Sequence, residues 1–142
     1  MAQKHSRLTA DGRLVWFVER LWYLARDLPV HQVPLDAIRE FDQNCWFSAA
    51  TPPTCRAVAD HVQRILDADL NYPIILSAEG YLMDGGHRIA KAYLAGIPTI
   101  SAVQFLQDPE PDYFYRRTPP YHRRLVFFPL SSKAVPRNQI PP

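Results

Sequence analysis

Apolar residues near the start of the chain recur at spacings of three and four, which predicts an amphipathic helix from Asp11 to about Arg26. Pro29 follows, and proline does not continue a helix interior. Residues 1–10 are polar and predict a frayed terminus. The face predicted to be buried consists of Leu14, Phe17, Val18, Leu21, Trp22 and Ala25.

The middle of the chain alternates short apolar runs with turn residues. This pattern predicts strands at 30–33, 74–76, 81–83 and 99–105, helices at 54–68 and 87–95, and a turn or short helix at 34–38. Thr54 is suited to cap its helix, and Gly96 followed by Pro98 is typical of a helix end. Gly80 is suited to a tight hairpin turn.

Two predictions concern burial in this middle region. Residues 42–53 have no clear period, so we expect a loop with Trp46 and Phe47 anchored in the core. His61 lies beside the apolar face of its helix and is expected to be a core or boundary histidine. The inner face predicted for that helix is Ala57, Val58, Val62, Ile65 and Leu66.

The chain becomes proline-rich after Gln107, which predicts irregular structure from Asp108 onward. Residues 126–128 are apolar enough to form an edge strand. Residues 112–142 carry 6 Lys/Arg against one Asp, and this basic tail can attract nucleic acid or stay as a solvated extension. Both interpretations of the tail are open.

Composition favours an ordinary globular domain. The chain has 142 residues, 47% of them hydrophobic, which is enough for a core without disulfide or metal staples. Cys45 and Cys55 are expected to be reduced thiols in a cytoplasmic protein, and no Cys/His set has zinc spacing. The apolar run 14–25 contains Glu19 and Arg20, so we expect no membrane span or partner membrane. Oligomeric state is left open.

The strongest chemical signal is the unit strand, Asp84-Gly85-Gly86-His87-Arg88, helix. Two glycines let the backbone turn sharply and approach a ligand, while the N–H groups of a helix start attract anions. Arg88 offers a fork of donors that matches phosphate oxygens, and Lys91 lies one helical turn further on. The residues therefore predict a phosphate site, although a Gly-Gly connector with Asp84 as a helix cap explains them equally well.

The segment MDGGHRIAKAYLAG, which follows a predicted hairpin, resembles the signature loop of the ParB/sulfiredoxin superfamily. HQVPLDAI resembles the first strand and turn of ParB N-terminal domains, and RAVADHVQRILDA followed by YPIIL resembles the step before the loop. The resemblance implies an α/β (α+β) fold with a small mixed sheet and flanking helices. With this resemblance, we expect a single-domain protein in which a helix at 1–28 precedes a nucleotide-binding domain at 29–107. A Pro-rich basic extension follows at 108–142.

The loop separates the branches of this superfamily. ParB proteins bind CTP through a Gly-Glu-Arg-Arg box, and Gly85-Gly86-His87-Arg88 stands in its place here. The helix-turn-helix segment that follows in ParB is missing. Gly86 stands where sulfiredoxins carry their reactive cysteine, so sulfinic acid repair is not expected. The loop is most similar to the Asp-Gly-His-His-Arg of free serine kinases, from which it differs at Gly86 alone.

The resemblance implies binding of ATP or ADP with Mg²⁺, and phosphoryl transfer to a small hydroxyl-bearing metabolite or nucleotide hydrolysis. Asp84, His87 and Glu40 are the expected catalytic residues, with Asp84 and Glu40 as Mg²⁺ ligands. Gly85, Gly86, His87, Arg88 and Lys91 are the expected phosphate ligands. A nucleotide-binding switch, a DNA-associated module and a nuclease are the alternatives, and Glu40 as a surface carboxylate is the alternative for that residue.

Overall fold

A computed structural model describes residues 3–117 and the backbone of residues 127–129. The chain is a mixed α/β protein that divides into two compact units. One unit is Leu28–Leu106, and the described part of the other combines residues 3–27 with 107–117 and 127–129. Within the described residues, no helix is long and apolar enough to cross a bilayer.

The unit built from both ends of the chain contains a four-stranded antiparallel sheet in the order β1-β2-β7-β8. Its elements are β1 (Lys4–Thr9), β2 (Gly12–Phe17), α1 (Val18–Ala25), β7 (Tyr113–Arg116) and β8 (Phe127–Pro129). The helix predicted from Asp11 is therefore wrong up to Phe17, and so is the frayed start.

The physical reason for this error is a hairpin that continues directly into a helix. Thr9 pairs with Gly12, so a two-residue loop joins β1 to β2. Gly12 is needed there because a Cβ would lie 2.1 Å from the carbonyl oxygen of Tyr115 on β7. The apolar spacing of three and four spans the junction between β2 and α1, where it imitates one long helix.

The segment after Asp108 is more regular than its prolines predict. Tyr113–Arg116 forms β7, because aromatic residues favour a strand that pairs with β2. Phe127–Pro129 forms an edge strand, as predicted for 126–128, although Val126 lies outside the described residues. The Arg123-Arg124 part of the basic tail also lies outside them.

The unit Leu28–Leu106 has its own mixed sheet in the order β3-β6-β4-β5. Its elements are β3 (His31–Pro34), 3₁₀ turns at Leu35–Ala37 and Arg39–Asp42, α2 (Cys55–Asp67), β4 (Ile74–Leu76), β5 (Leu82–Asp84), α3 (Gly86–Leu94) and β6 (Thr99–Gln104). β4 and β6 are parallel and the other two pairs are antiparallel. A buried core cluster lies between this sheet, α3 and the 3₁₀ turns, and it consists of Leu35, Ile38, Ile74, Leu76, Ile89, Ala92, Ile100 and Ala102.

Local signals placed the elements of this unit correctly. The Thr54 hydroxyl accepts the N–H of Ala57 and caps α2. Gly96, at φ +72°, ends α3 in a Schellman motif in which Gly96 N donates to Tyr93 O and Ile97 N donates to Ala92 O.

Two predictions about burial are wrong. Val58, Val62 and Leu66 are 42–61% exposed, because α2 buries the neighbouring stripe that holds His61 and Ile65. Trp46 and Phe47 are only partly buried, and Trp46 stacks on two histidine rings instead of entering the core. The face of α2 that packs against α3 is thus shifted by about one residue around the helix from the face that carries the most apolar side chains.

Candidate functional site

The Gly-Gly pair lies at the start of α3, as predicted. Gly85 has φ +125°, and a Cβ on it would lie 2.4 Å from Ile74 Cγ2, so only glycine fits this turn without strain. The N-cap residue is Gly85, which has no side chain to cap the helix, and the first helical hydrogen bond runs from Ile89 N to Gly85 O. The N–H groups of Gly86 and His87 consequently have no partner within the helix, and they carry the positive end of its dipole.

A cleft of about 240 Å³ opens beside this helix start. Its apolar wall is formed by Phe41, Trp46, Leu82, Ile89 and Ala90, and the remaining lining residues are Glu40, Gln43, Cys45 and Gly86. The indole lies over the helix start, since a Cβ on Gly86 would be 3.2 Å from Trp46 Nε1. The cleft therefore brings the uncapped first turn of α3 close to a carboxylate, that of Glu40.

Glu40 occupies the wall of the cleft with only one of its oxygens satisfied. Oε1 accepts the N–H of Leu82 at 3.0 Å, which fixes the carboxylate against β5. Oε2 is shielded from solvent and has no hydrogen-bond partner. An unmet buried acceptor costs free energy, and such atoms are often explained by a ligand, an ion or a catalytic role.

Cys45 also lines the cleft. Its Sγ donates to the carbonyl oxygen of Glu40 at 3.4 Å. Burial raises the pKa of this thiol, and the negative charge of Glu40 acts in the same direction. Cys45 therefore stays protonated at neutral pH and is a poor nucleophile.

Arg88, Asp84 and Lys91 turn away from the cleft. Arg88 donates to Asp84 Oδ2 at 2.6 Å and to the carbonyl oxygens of Tyr72 and Pro73 at 3.1 and 2.8 Å. The Asp84 and Arg88 side chains are each 11% exposed. We call Asp84, Arg88 and the two carbonyls the Arg88 group; it ties the start of α3 to the segment before β4.

Lys91 has a related structural role at the end of α2. Its Nζ donates to Leu66 O at 2.8 Å and to Ala68 O at 2.5 Å, where the last carbonyls of a helix need donors. The phosphate-binding roles expected for Arg88 and Lys91 stay predictions, and the contacts that these side chains make are internal to the protein.

His87 pairs with a residue that sequence reasoning did not assign to the site. His87 Nε2 and His61 Nδ1 are 2.8 Å apart, and the two rings are nearly coplanar, with 16° between their planes. Trp46 stacks over both imidazoles with ring centroids at 4.7 and 4.8 Å, and Phe47 meets His61 edge-on. No sequence signal connects two histidines 26 positions apart on different helices.

Both histidines are neutral at neutral pH. Burial lowers the pKa of His87 to about 4, and His61, Arg64 and Arg88 act in the same direction. Burial and Arg64 also lower the pKa of His61, against a smaller opposing effect of Asp60. One proton therefore bridges the two rings.

The predicted metal ligands do not form a protein-only metal centre. No three His, Cys, Asp or Glu residues of the described part of the chain are grouped closely enough to hold a metal ion. Asp84 is bound to Arg88, whereas Glu40 lines the cleft. Magnesium bound to nucleotide phosphates needs only one or two protein carboxylates, and Glu40 is the one carboxylate among the residues that line the cleft.

Comparison with known proteins does not assign the site. No protein-family model, no curated protein and no solved structure matches this chain.

Proposed function

We propose that the first turn of α3 binds the phosphates of ATP or ADP, and that the protein is a Mg²⁺-dependent phosphotransferase or nucleotide hydrolase. The proposal rests on the similarity of the loop to the ParB/sulfiredoxin superfamily and on the chemistry of the cleft. The observation that carries it is an uncapped helix start that shares one cleft with a carboxylate whose second oxygen is unpaired.

The two parts of the site have complementary tasks in phosphoryl transfer. Backbone N–H groups at Gly86 and His87 suit the phosphate oxygens, because the helix dipole favours negative charge there. Phosphoryl transfer depends mainly on positioning and on neutralising charge. The turn provides part of that neutralisation, and Mg²⁺ carried by the nucleotide would supply the remainder.

Glu40 is the proposed general base. The hydroxyl of the acceptor, or of water, gives its proton to the Glu40 carboxylate while its oxygen bonds to the terminal phosphorus. The bond between that phosphorus and the bridging oxygen breaks, and ADP leaves from ATP, or AMP from ADP. The proton then passes from Glu40 to solvent, which returns the enzyme to its starting state.

The test combines nucleotide binding with turnover. Purified protein with Mg²⁺ and ATP or ADP should release phosphate or transfer it to a hydroxyl compound. Glu40→Gln should lower turnover by at least a hundredfold, in the range known for lost general bases, and leave nucleotide affinity within a few-fold. Glu79→Gln, which removes an exposed carboxylate from the hairpin turn, is the matched control and should behave like wild type.

A nucleotide-binding switch without turnover is the second candidate. The observation that favours it is the pairing of Asp84 with Arg88, because this pair leaves the cleft with a single carboxylate. Saturable nucleotide binding without turnover, with or without Mg²⁺ and hydroxyl compounds, would favour the switch. Failure of both binding and turnover would reject the nucleotide site.

A further inference from the structure

Helix α2 has two rows of side chains spaced by four residues, and the protein covers only one of them. The covered row consists of Ala57, His61 and Ile65, and every other residue of α2 is exposed. The second row is apolar, with exposed fractions of 42%, 47% and 61% for Val58, Val62 and Leu66. We call these three residues the outer row. Adjoining apolar side chains on a surface mark an interaction site more often than scattered ones do.

The shape of this face suits a second copy of itself. Side chains four positions apart line up along a helix, so the outer row forms one ridge. The next ridge begins with Cys55 and Ala59, whose small, exposed side chains leave a groove beside the outer row. Helices pack by placing the ridge of one in the groove of the other. One α2 therefore carries both halves of a helix contact, as a two-fold interface requires.

The two ends of α2 carry charges of the wrong sign for an isolated helix. Arg56 lies in the first turn, where the helix dipole favours anions and where α2 has no acidic residue. Asp67 is the last residue, where the dipole favours cations. Both are exposed, and within the described residues neither forms an ion pair. These two charges therefore lower the stability of α2 when the helix is considered alone.

An antiparallel second copy would pair both charges. Arg56 and Asp67 lie about three helical turns apart, so they are on the same side of the outer row. With Val62 on the two-fold axis, Arg56 of one copy and Asp67 of the other differ by only about 1.5 Å in height along the helices. A parallel copy would bring like charges together instead, so the charges select the antiparallel arrangement.

We infer that α2 is the contact of a weak symmetric homodimer, with Val62 near the two-fold axis and two ion pairs between Arg56 and Asp67 of the two copies. The 13 residues of α2 present a face about 20 Å long and about 10 Å wide. That area is well below the roughly 800 Å² that each partner buries in a stable complex. We therefore expect a dissociation constant on the order of 100 µM. The inference is independent of the proposed function.

Sedimentation equilibrium of the full chain tests the dimer. Wild-type protein should change from monomer to dimer between about 5 µM and about 1 mM. Val62→Glu sets two carboxylates against each other at the axis and should weaken association about tenfold or more. Val30→Glu, the same exchange at a 59% exposed valine outside α2, is the matched control and should associate like wild type. A monomer at every concentration, or equal association of wild type and Val62→Glu, would overturn the inference.

Charge exchange tests the antiparallel arrangement. Arg56→Asp and Asp67→Arg each place like charges opposite one another, and each should weaken association about fivefold. The double variant pairs the charges again and should return to within about twofold of wild type. Each reversal also suits the dipole of α2 better than the original residue, so loss of the helix cannot explain the weakening. No weakening in the single variants, or no recovery in the double variant, would overturn the arrangement, even where Val62→Glu fails to fold.

Urea unfolding distinguishes a second copy from a segment of the same chain. At about 5 µM the protein is monomeric, given the expected dissociation constant. Val62→Glu should then not lower the unfolding midpoint, because the side chain is exposed in the monomer. A lower midpoint, with wild type monomeric at every concentration, would show that another part of the chain covers the outer row and would overturn the dimer. Neither measurement involves a nucleotide, so both are separate from the tests of the proposed function.

Discussion

The Arg88 group and the cleft lie at the same helix start and use the same kinds of polar group in opposite ways. In the Arg88 group, the guanidinium of Arg88 reaches a carboxylate and two carbonyls within the protein. In the cleft, one buried oxygen of Glu40 has no hydrogen-bond partner, and the first N–H groups of α3 have no partner within their helix. The difference separates residues that build the loop from residues that can bind a ligand.

The largest expected effect comes from removing Arg88. Arg88→Ala should destabilise the protein by about 3 kcal/mol, because it leaves the Asp84 carboxylate buried without its cation. Urea denaturation measures the loss, with Arg56→Ala on the exposed side of α2 as the control. If Arg88→Ala kept full stability but lost nucleotide binding, Arg88 would belong to the binding residues and the comparison would fail.

The turn between β5 and α3 gives the next effect. Gly85→Ala should cost about 3 kcal/mol, since it combines a strained positive φ with a clash against Ile74. Gly96→Ala has a positive φ but open space around its Cβ, so about 1 kcal/mol is expected. Denaturation gives the loss in free energy of unfolding for each variant. The difference between the two losses measures how much the clash with Ile74 contributes to the cost of Gly85→Ala. Equal losses would show that Ile74 moves away easily.

Two conservative amide substitutions address the comparison directly. Asp84→Asn weakens the bond from Arg88 and should cost about 2 kcal/mol. Glu40→Gln retains an acceptor for Leu82 N and removes an unpaired charge, so stability should change by less than about 1 kcal/mol. Thermal and urea unfolding of both variants provide the test. A larger loss of stability in Glu40→Gln than in Asp84→Asn would show that Glu40 is the structural carboxylate.

The smallest effect is a pH dependence of stability. The folded protein holds His87 neutral with a pKa of about 4, whereas the unfolded chain takes up a proton near pH 6.5. The stability that comes from neutral His87 is therefore present above pH 6.5 and is lost as the pH falls from about 6.5 toward 4. His5, which is partly buried and whose pKa burial also lowers to about 4, adds to the same trend.

Denaturation at pH 7, 6 and 5 measures this slope. His87→Gln should flatten it, whereas substitution of the exposed His31 by Gln should leave it unchanged. An unchanged slope in His87→Gln would show that the imidazole pair does not stay neutral in the folded protein.

Sequence reasoning succeeded where the signal is local. The Thr54 cap, the hairpin turn at Gly80, the Gly85-Gly86 helix start and the Gly96 helix end each depend on residues a few positions apart. These positions favour particular residue types, because a side-chain cap needs a hydrogen-bond acceptor and a positive φ angle favours glycine. The helices and strands of Leu28–Leu106 were consequently predicted to within one or two residues, whereas the 3₁₀ turn at Arg39–Asp42 was not predicted.

The errors arise where distant residues decide the outcome. Strand β2 pairs with β7 from far along the sequence as well as with its neighbour β1, and no periodicity near Gly12 reports the partner β7. The contacts of Arg88 with Tyr72 O and Pro73 O, and of His87 with His61, are likewise set by tertiary packing. A motif therefore identifies a helix start, and the fold decides which of its side chains face a ligand.

The pairing of β2 with β7 also affects how the protein is made. Val15 faces Tyr113 across the sheet, so this pair cannot form until Tyr113 has been synthesised. The intervening unit, Leu28–Leu106, is continuous and can complete its contacts earlier. On the ribosome, the N-terminal hairpin must wait several seconds, at about 5–20 residues per second, for the strand that completes its sheet. A nascent chain halted before residue 113 therefore carries β2 with an unpaired edge, the kind of edge that recruits foreign strands.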